Sequence, residues 1–266
     1  MAVTVSDLSR FKAEKQRFAM LTAYDFQTAS ILDEAGIPVI LVGDSVAQTM
    51  LGYETTLPVT MEQMLHHTAA VARGAGNALV VADMPFGSYQ TSIADGINNA
   101  IAFLKAGAHA VKFEGPQLEL AATMLEKGIP VMGHLGLTPQ SVHTLGGYRV
   151  QAKTEEAAGR LVADAANLQK SGAFSLVLEA IPSEVAKTVT AALDIPTIGI
   201  GAGPHCDAQV LVINDLLGLS AGVDPKFVKR YANLRQTITE AVGLFQTEVE
   251  TGEFPGAEHS YTGGQG

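Results

Sequence analysis

The chain contains no tryptophan, only 6 tyrosines and 10 phenylalanines, and a single cysteine among 266 residues. With so few aromatics, a large interior must be built from aliphatic side chains, as parallel strands buried on both faces require. The lone Cys206 excludes an internal disulfide and fits a reducing compartment. Charge is sparse and acidic: 17 Lys and Arg against 27 Asp and Glu give a formal net charge of −10, with no basic run. That balance argues against nucleic acid or an anionic membrane surface as partner. No stretch reaches the roughly 18 apolar residues of a membrane span. The N-terminus, MAVTVSDLSRFKAEKQ, lacks an apolar signal core. The expectation is a cytoplasmic enzyme.

What is present is a repeated punctuation. Amphipathic stretches end in Gly and pass directly into short aliphatic runs, at Gly36, Gly107, Gly128 and Gly172. Gly just past a helix end adopts the left-handed cap conformation cheaply, and the apolar run that follows begins a buried strand. This reading places strands at Phe18–Ala23, Val39–Gly43, Leu79–Met84, Ala110–Glu114, Val131–His134, Ser175–Glu179, Thr197–Ile200 and about Val210–Ile213. Helices are expected near Asp25–Ala35, after a Thr60/Gln63 capping box, from Ser92, near Pro116–Lys127, near Thr154–Ser171 and near Phe227–Thr251. Between the seventh and eighth strands, Gly203–Ala208 leaves little room for a helix. Eight mostly alternating units in about 250 residues favour an α/β fold closed as a single (β/α)8 TIM barrel, 1–266, over a doubly wound sheet. The Gly-rich tail 260–266 is expected to be disordered.

In such a barrel the active site lies at the carboxyl ends of the strands. Those ends carry Asp44 and Ser45, Asp83, Lys112 and Glu114, His134 and Glu179, on consecutive strands. Buried carboxylates repel one another and lose hydration, so Asp44, Asp83 and Glu114 in one mouth call for a cation. Their oxygen-only ligand set suits Mg2+. Any one of these acids could instead cap the next helix or pair with a lysine, but their joint placement weighs against that. Lys112, two residues before Glu114 and on the same strand face, could bind a substrate carboxylate, stabilise an oxyanion or form a Schiff base; a structural ion pair is the plainer reading. Partial desolvation of Glu179 would raise its pKa toward neutrality, as a general base needs, although an outer metal group or a cap is also open. His134 could donate a hydrogen bond to substrate or to Glu179, or be structural. The Gly-rich 198–204 segment could cradle a phosphate or approach a ligand closely. The long stretch Gly136–Gln151 could act as a lid or simply pack on the surface.

These residues fall in a set of motifs: TAYD at 22–25, VGDS at 42–45, TTLPVT at 55–60, HHTAAVARG at 66–74 and ADMPF at 82–86. The set continues with VKFEG at 111–115, GHLGLTPQS at 133–141, GGYRVQ at 146–151, IGIGAG at 198–203, PKFVKRY at 225–231 and FPGAEHS at 254–260. In order and over the whole chain, they resemble ketopantoate hydroxymethyltransferase. The resemblance implies a barrel of the phosphoenolpyruvate/pyruvate type, here with an N-terminal helical extension. It implies use of Mg2+ and transfer of a one-carbon unit from 5,10-methylenetetrahydrofolate to 3-methyl-2-oxobutanoate, giving ketopantoate for pantothenate synthesis. Asp44 and Asp83 would then hold the metal, with Glu114 binding it directly or through water. Asp44, Ser45, Asp83, Lys112 and His134 would surround the oxo acid, and Glu179 would be the proton acceptor. The resemblance also implies a homo-oligomer, commonly a decamer. The chain departs from many relatives at GPHCDA (203–208), and the stretch 220–226 is variable among them. A metal-dependent C–C lyase using the same enolate chemistry is the alternative enzyme; a non-enzymatic binding protein would have no use for a base beside a metal cluster.

Overall fold

A computed structural model of the chain describes residues 2–220, 222, 225–261 and 263. Of the tail at 260–266, Thr262 and the last three residues lie outside the described residues, as do Ala221, Val223 and Asp224 in the 220–226 stretch. The chain divides into two compact units, Met1–Ile213 and Asn214–Gly266.

All eight strands lie in the first unit: β1 (Phe18–Thr22), β2 (Val39–Val42), β3 (Leu79–Asp83), β4 (Ala110–Lys112), β5 (Val131–Gly136), β6 (Ser175–Glu179), β7 (Thr197–Ile200) and β8 (Ala208–Leu211). Each is parallel to its neighbours in chain order, and β1 pairs with β8, so the sheet closes into a barrel. The helices are α1 (Val5–Ala13), α2 (Phe26–Glu34), α3 (Val46–Thr49), α4 (Met61–Gly74), α5 (Ile93–Lys105), α6 (Leu118–Glu126), α7 (Val142–Leu145), α8 (Glu155–Lys170) and α9 (Ser183–Ala192). The short α10 (Ile213–Leu216) follows β8, and the second unit holds α11 (Leu234–Thr251). Among the described residues no helix is long and apolar enough to cross a membrane.

Local signals account for much of this. Continuous aliphatic runs such as VILV and LVVAD are buried at every position, as strands covered on both faces must be. Gly36, Gly107, Gly128 and Gly172 all take positive φ just past helix ends, as the punctuation predicts. Thr60 and Gln63 make the expected capping box at the start of α4, and Asp25, Ser92 and Thr154 cap α2, α5 and α8 through their side chains.

The barrel interior is aliphatic: Met20, Val39, Leu41, Leu79, Val81, Met132, Val177, Ile198 and Val210 form one buried cluster with Leu8 and Phe11 of α1. Burying each of those α1 side chains contributes roughly 1.5–3 kcal/mol. The N-terminal extension is therefore a plug. Lys12 fastens it at the amino ends of the strands, donating to Asp207 Oδ2 at 2.9 Å and to the Thr190 carbonyl at 3.0 Å. This closes the end opposite the strand carboxyl termini.

Several elements and boundaries differ from expectation. The SEVAKTVTAA stretch forms α9, which the Gly punctuation does not flag because no glycine ends it. The segment β8 starts at Ala208 rather than Val210, set by its pairing with Phe18. The last helix starts at Leu234 rather than near Phe227, since a turn between Pro225 and Val228 comes first and Asn233 is the residue before the helix. The stretch Gly136–Gln151 contains a 3-10 turn at Pro139–Ser141 as well as α7.

Candidate active site

The strand ends deliver a ring of polar side chains into the barrel mouth, and all but Ser45 and Glu179 are nearly dry. Asp44, Asp83, Lys112, Glu114 and His134 are each no more than 6 % exposed. In the β3–β4 register Asp83 lies opposite Lys112. The Lys112 Nζ lies 2.7 Å from Asp83 Oδ1, while Asp83 Oδ2 accepts a 3.2 Å hydrogen bond from the backbone N–H of Asp44. Both oxygens of Asp83 are thus engaged. Beside them, Ser45 Oγ and Tyr24 Oη are 2.9 Å apart.

Glu114 and Asp44 are joined through Gln140. Its backbone N–H donates to Glu114 Oε2 at 2.9 Å, and its Nε2 donates to Asp44 Oδ2 at 2.9 Å. The Tyr89 hydroxyl accepts from the Glu114 N–H at 3.1 Å and donates to Gln140 Oε1 at 2.7 Å. Among the described residues no hydrogen bond reaches Oδ1 of Asp44.

His134 sits between the lysine and the second carboxylate. Its Nδ1 is 3.3 Å from Lys112 Nζ. An ammonium has only donors, so Nδ1 accepts and the ring proton is on Nε2. That Nε2 approaches Glu179 Oε2 at 3.2 Å but off the N–H axis, so it is a buried polar atom without an aligned partner. Such an atom is placed for an acceptor on a bound molecule.

Glu179 ends β6 opposite Gly136 of β5. Gly136 has φ +99°, and a Cβ there would run into the Glu179 carbonyl, so no other residue fits without moving the strand. The next residue, Ala180, is held at φ +46°, a conformation costly for a side chain with a Cβ. Ala180 is pinned on both sides: its N–H donates to Ile200 O at 2.8 Å and its carbonyl accepts from Gln151 N at 2.9 Å.

The electrostatics follow from the burial. Desolvation pushes Asp44 up to about 7, and the neighbouring Asp83 charge adds to it. Burial and the Asp44 charge drive Glu114 well above the carboxylate range. Burial pushes Glu179 up to about 7, with Lys112 pulling the other way. Burial and the Lys112 charge hold His134 neutral, well below its ordinary value. Lys112 is opposed by burial, but Asp83, Glu114 and Asp44 outweigh it and hold the ammonium above the usual lysine range. A firmly charged Lys112 is an electrostatic group and a poor candidate for a Schiff-base nucleophile.

All the strand-end residues singled out in the sequence therefore meet in one mouth. The three acids do not form a ready cage: among the described residues no three acid, histidine or cysteine groups stand together as a metal-holding set. The donor chemistry nevertheless fits a hard cation. Asp44 and Asp83 offer only oxygens, and a positive charge would relieve the burial that lifts Asp44. Mg2+ in particular takes one or two carboxylates and fills its octahedron with water and substrate oxygens.

The Gly-rich segment after β7 serves packing. At Gly203, with φ +79°, a Cβ would meet Ser183 Oγ at 2.5 Å. No α-helix stands between β7 and β8 among the described residues, so the segment lacks the helix N-terminus of a phosphate cradle. Gln140, Tyr89 and Tyr24 were not singled out from the sequence. Tyr24 and Gln140 lie inside quoted motifs, TAYD and GLTPQS, but nothing about an uncharged residue there marks it as a partner of the acids. Tyr148 is a further neighbour: burial, with the Asp44 charge, raises its pKa.

Comparison with known proteins bears on the mouth as a whole. A family model described as ketopantoate hydroxymethyltransferase matches residues 2–257. The chain is 53 % identical over 262 residues to the 3-methyl-2-oxobutanoate hydroxymethyltransferase of Syntrophus aciditrophicus (strain SB), covering 97 % of this chain and 96 % of that one. It is 54 % identical over 262 residues to the enzyme of the same name from Thermotoga sp. (strain RQ2), covering 98 % and 97 %. In fold it is similar to 2,3-dimethylmalate lyase, a PEP mutase/isocitrate lyase superfamily member, with TM-score 0.59 and 16 % identity over 99 % of this chain and 93 % of that one. It is also similar to a phosphonopyruvate hydrolase in complex with oxalate and Mg2+, with TM-score 0.60 and 12 % identity over 97 % and 93 %.

Proposed function

The chain belongs to the ketopantoate hydroxymethyltransferase family, and from that premise we propose how its residues divide the work of making ketopantoate. The activity is hydroxymethyl transfer onto 3-methyl-2-oxobutanoate. The one-carbon donor in this reading is 5,10-methylenetetrahydrofolate. Asp44 and Asp83 would hold Mg2+, with Glu114 behind them directly or through water. When bound, the cation supplies Lewis acidity toward the carboxylate and keto oxygens of the oxo acid, which makes the C3–H more acidic.

The protein's own groups carry the rest. Glu179 takes the C3 proton; a carboxyl lifted to about 7 is a far better base than an exposed one. Lys112, held charged beside Asp83, faces the negative charge that develops on the keto oxygen. His134 offers its unaligned Nε2–H to the oxo acid, and Ser45, oriented by Tyr24, offers a hydroxyl. The nucleophilic C3 then attacks the methylene carbon of the opened folate; water replaces the methylene–nitrogen bond of the adduct, its hydroxyl staying on the new carbon and its proton going to the nitrogen, so that ketopantoate and tetrahydrofolate are released. The folate lies over the mouth against Gly136–Gln151. Assembly into a homodecamer, which the resemblance implies, is open to light scattering.

The observation that carries this division is the placement of Glu179: its carboxyl ends β6 at 3.2 Å from Nε2 of His134 on the neighbouring β5, whose other ring nitrogen is 3.3 Å from Lys112 Nζ. The test is ketopantoate formation from 3-methyl-2-oxobutanoate and 5,10-methylenetetrahydrofolate with and without EDTA. Product with Mg2+ and none with EDTA is expected. Folate-independent cleavage of a small 2-hydroxy or 2-oxo diacid would turn the reading to a lyase.

A further inference from the structure

The segment after β5 reaches the acid cluster through Gln140, whose hydrogen-bonding capacity is fully used. Nε2 donates to Asp44 Oδ2 and to the Met84 carbonyl, both at 2.9 Å. Oε1 accepts from the Tyr89 hydroxyl at 2.7 Å and from Gln90 Nε2 at 3.1 Å. The backbone N–H donates to Glu114 Oε2 at 2.9 Å. Two donors and two lone pairs are all that an amide side chain has. Pro139, one residue earlier, opens the 3-10 turn that presents this residue, and Ser141 N closes the turn on Thr138 O at 2.8 Å.

We propose that Gln140 is a positioning residue that couples the metal ligands to the Gly136–Gln151 segment. Its amide holds Oδ2 of Asp44 and so turns Oδ1 toward the mouth, while its N–H fixes the Glu114 carboxylate. A cation on Asp44 favours the arrangement that Gln140 enforces. By linkage, the same cation restrains the segment that carries Gln140 and, further on, Tyr148. This rests on the reading of Asp44 as a metal ligand.

The experiment uses the full-length chain freed of metal. Mn2+ binding is followed by electron paramagnetic resonance, and hydrogen exchange of residues 138–149 is compared with and without Mg2+. In the unmodified protein Mg2+ slows exchange across 138–149. In Gln140→Met, which keeps length but not hydrogen bonding, Mn2+ binds about 10-fold more weakly, the lower end for loss of a supporting partner. The Mg2+ protection of 138–149 is lost, while β2 and β6 stay protected. A merely structural role would lower the melting temperature yet leave the Mn2+ affinity of the folded protein unchanged. If Gln140→Met does not fold, Tyr89→Phe removes the phenol that anchors Oε1 and is expected to shift both readouts the same way by a few-fold. Unchanged Mn2+ affinity and unchanged protection in the folded variant overturn the proposal. Asp44→Asn separates the two ideas. Loss of Mn2+ binding there with none in Gln140→Met overturns the coupling alone; full Mn2+ binding in Asp44→Asn removes the metal reading and the coupling with it.

Discussion

Nε2 of His134 stands 3.2 Å from Oε2 of Glu179. The other ring nitrogen is 3.3 Å from Lys112 Nζ, and that ammonium is 2.7 Å from Asp83. Contacts therefore run through Asp83, Lys112, His134 and Glu179, on the four consecutive strands β3 to β6. The off-axis approach matters for the last link. An aligned N–H bond would favour the Glu179 carboxylate and lower its basicity; the misaligned one leaves burial to decide.

Glu179→Gln keeps the shape of the base and removes its function. In deuterated water the protein is expected to exchange the C3 proton of 3-methyl-2-oxobutanoate in the presence of Mg2+. The variant should lose that exchange by about 10²–10⁴-fold, the range for removing a general base, while still binding the oxo acid. Exchange at the original rate in the variant would take Glu179 out of the mechanism.

The raised pKa of Glu179 fixes a pH dependence with a definite sign. A base works deprotonated, so kcat/KM should climb with unit slope below about 7 and level off above it. Stability moves oppositely. A carboxyl whose folded pKa is raised contributes most below its unfolded value, about 4.3, and that contribution is lost as pH rises through about 7. The melting temperature of Glu179→Gln relative to the parent should therefore increase between pH 5 and pH 8. A difference that does not change with pH would contradict the assignment.

The sequence reveals the barrel and its charged mouth for one physical reason: both follow from local pattern. Gly36, Gly107, Gly128 and Gly172 mark helix ends, and the residue that closes an aliphatic run must face the mouth, as Asp83 and Glu179 do. The network around Gln140 is not legible in that way. Asp44 and Gln140 are 96 positions apart, both ends of the bond are set by closure of the barrel, and an uncharged amide leaves no mark in charge or periodicity. The helix α9 escaped because it ends without glycine, and the β8 boundary because register with β1 is a long-range property. Three acids at strand ends are also not a coordination cage. That Asp83 spends its oxygens on Lys112 and on the Asp44 N–H is visible only in space.

Lys112→Met separates electrostatic from covalent use of the lysine. Borohydride added during turnover should trap nothing on Lys112, because the ammonium is held charged by Asp83, Glu114 and Asp44 against its burial. The variant should lose most activity. It should also lose about 3–5 kcal/mol of stability in metal-free buffer, the cost of leaving a buried partner charge alone. A trapped adduct seen by mass spectrometry, together with activity that survives EDTA, would support a Schiff-base enzyme instead.

Asp44→Asn should show effects of opposite sign with and without metal. In metal-free buffer at pH 8, the parent keeps Asp44 buried beside Asp83, and that repulsion costs stability. Removing the charge should raise the melting temperature. Adding Mg2+ at 100 times its Kd should stabilise the parent by about 2.7 kcal/mol. For a chain of this size that corresponds to a rise of roughly 5–10 °C. The variant gains nothing from Mg2+, because the ligand is gone. The order of stability therefore reverses as metal is added: the variant is above the parent without Mg2+ and below it with Mg2+. A general loss of packing would lower the variant in both buffers. An adventitious surface effect of Mg2+ would raise both proteins equally. Only a cation held at Asp44 makes the two melting curves cross, and curves that keep their order would rule that site out.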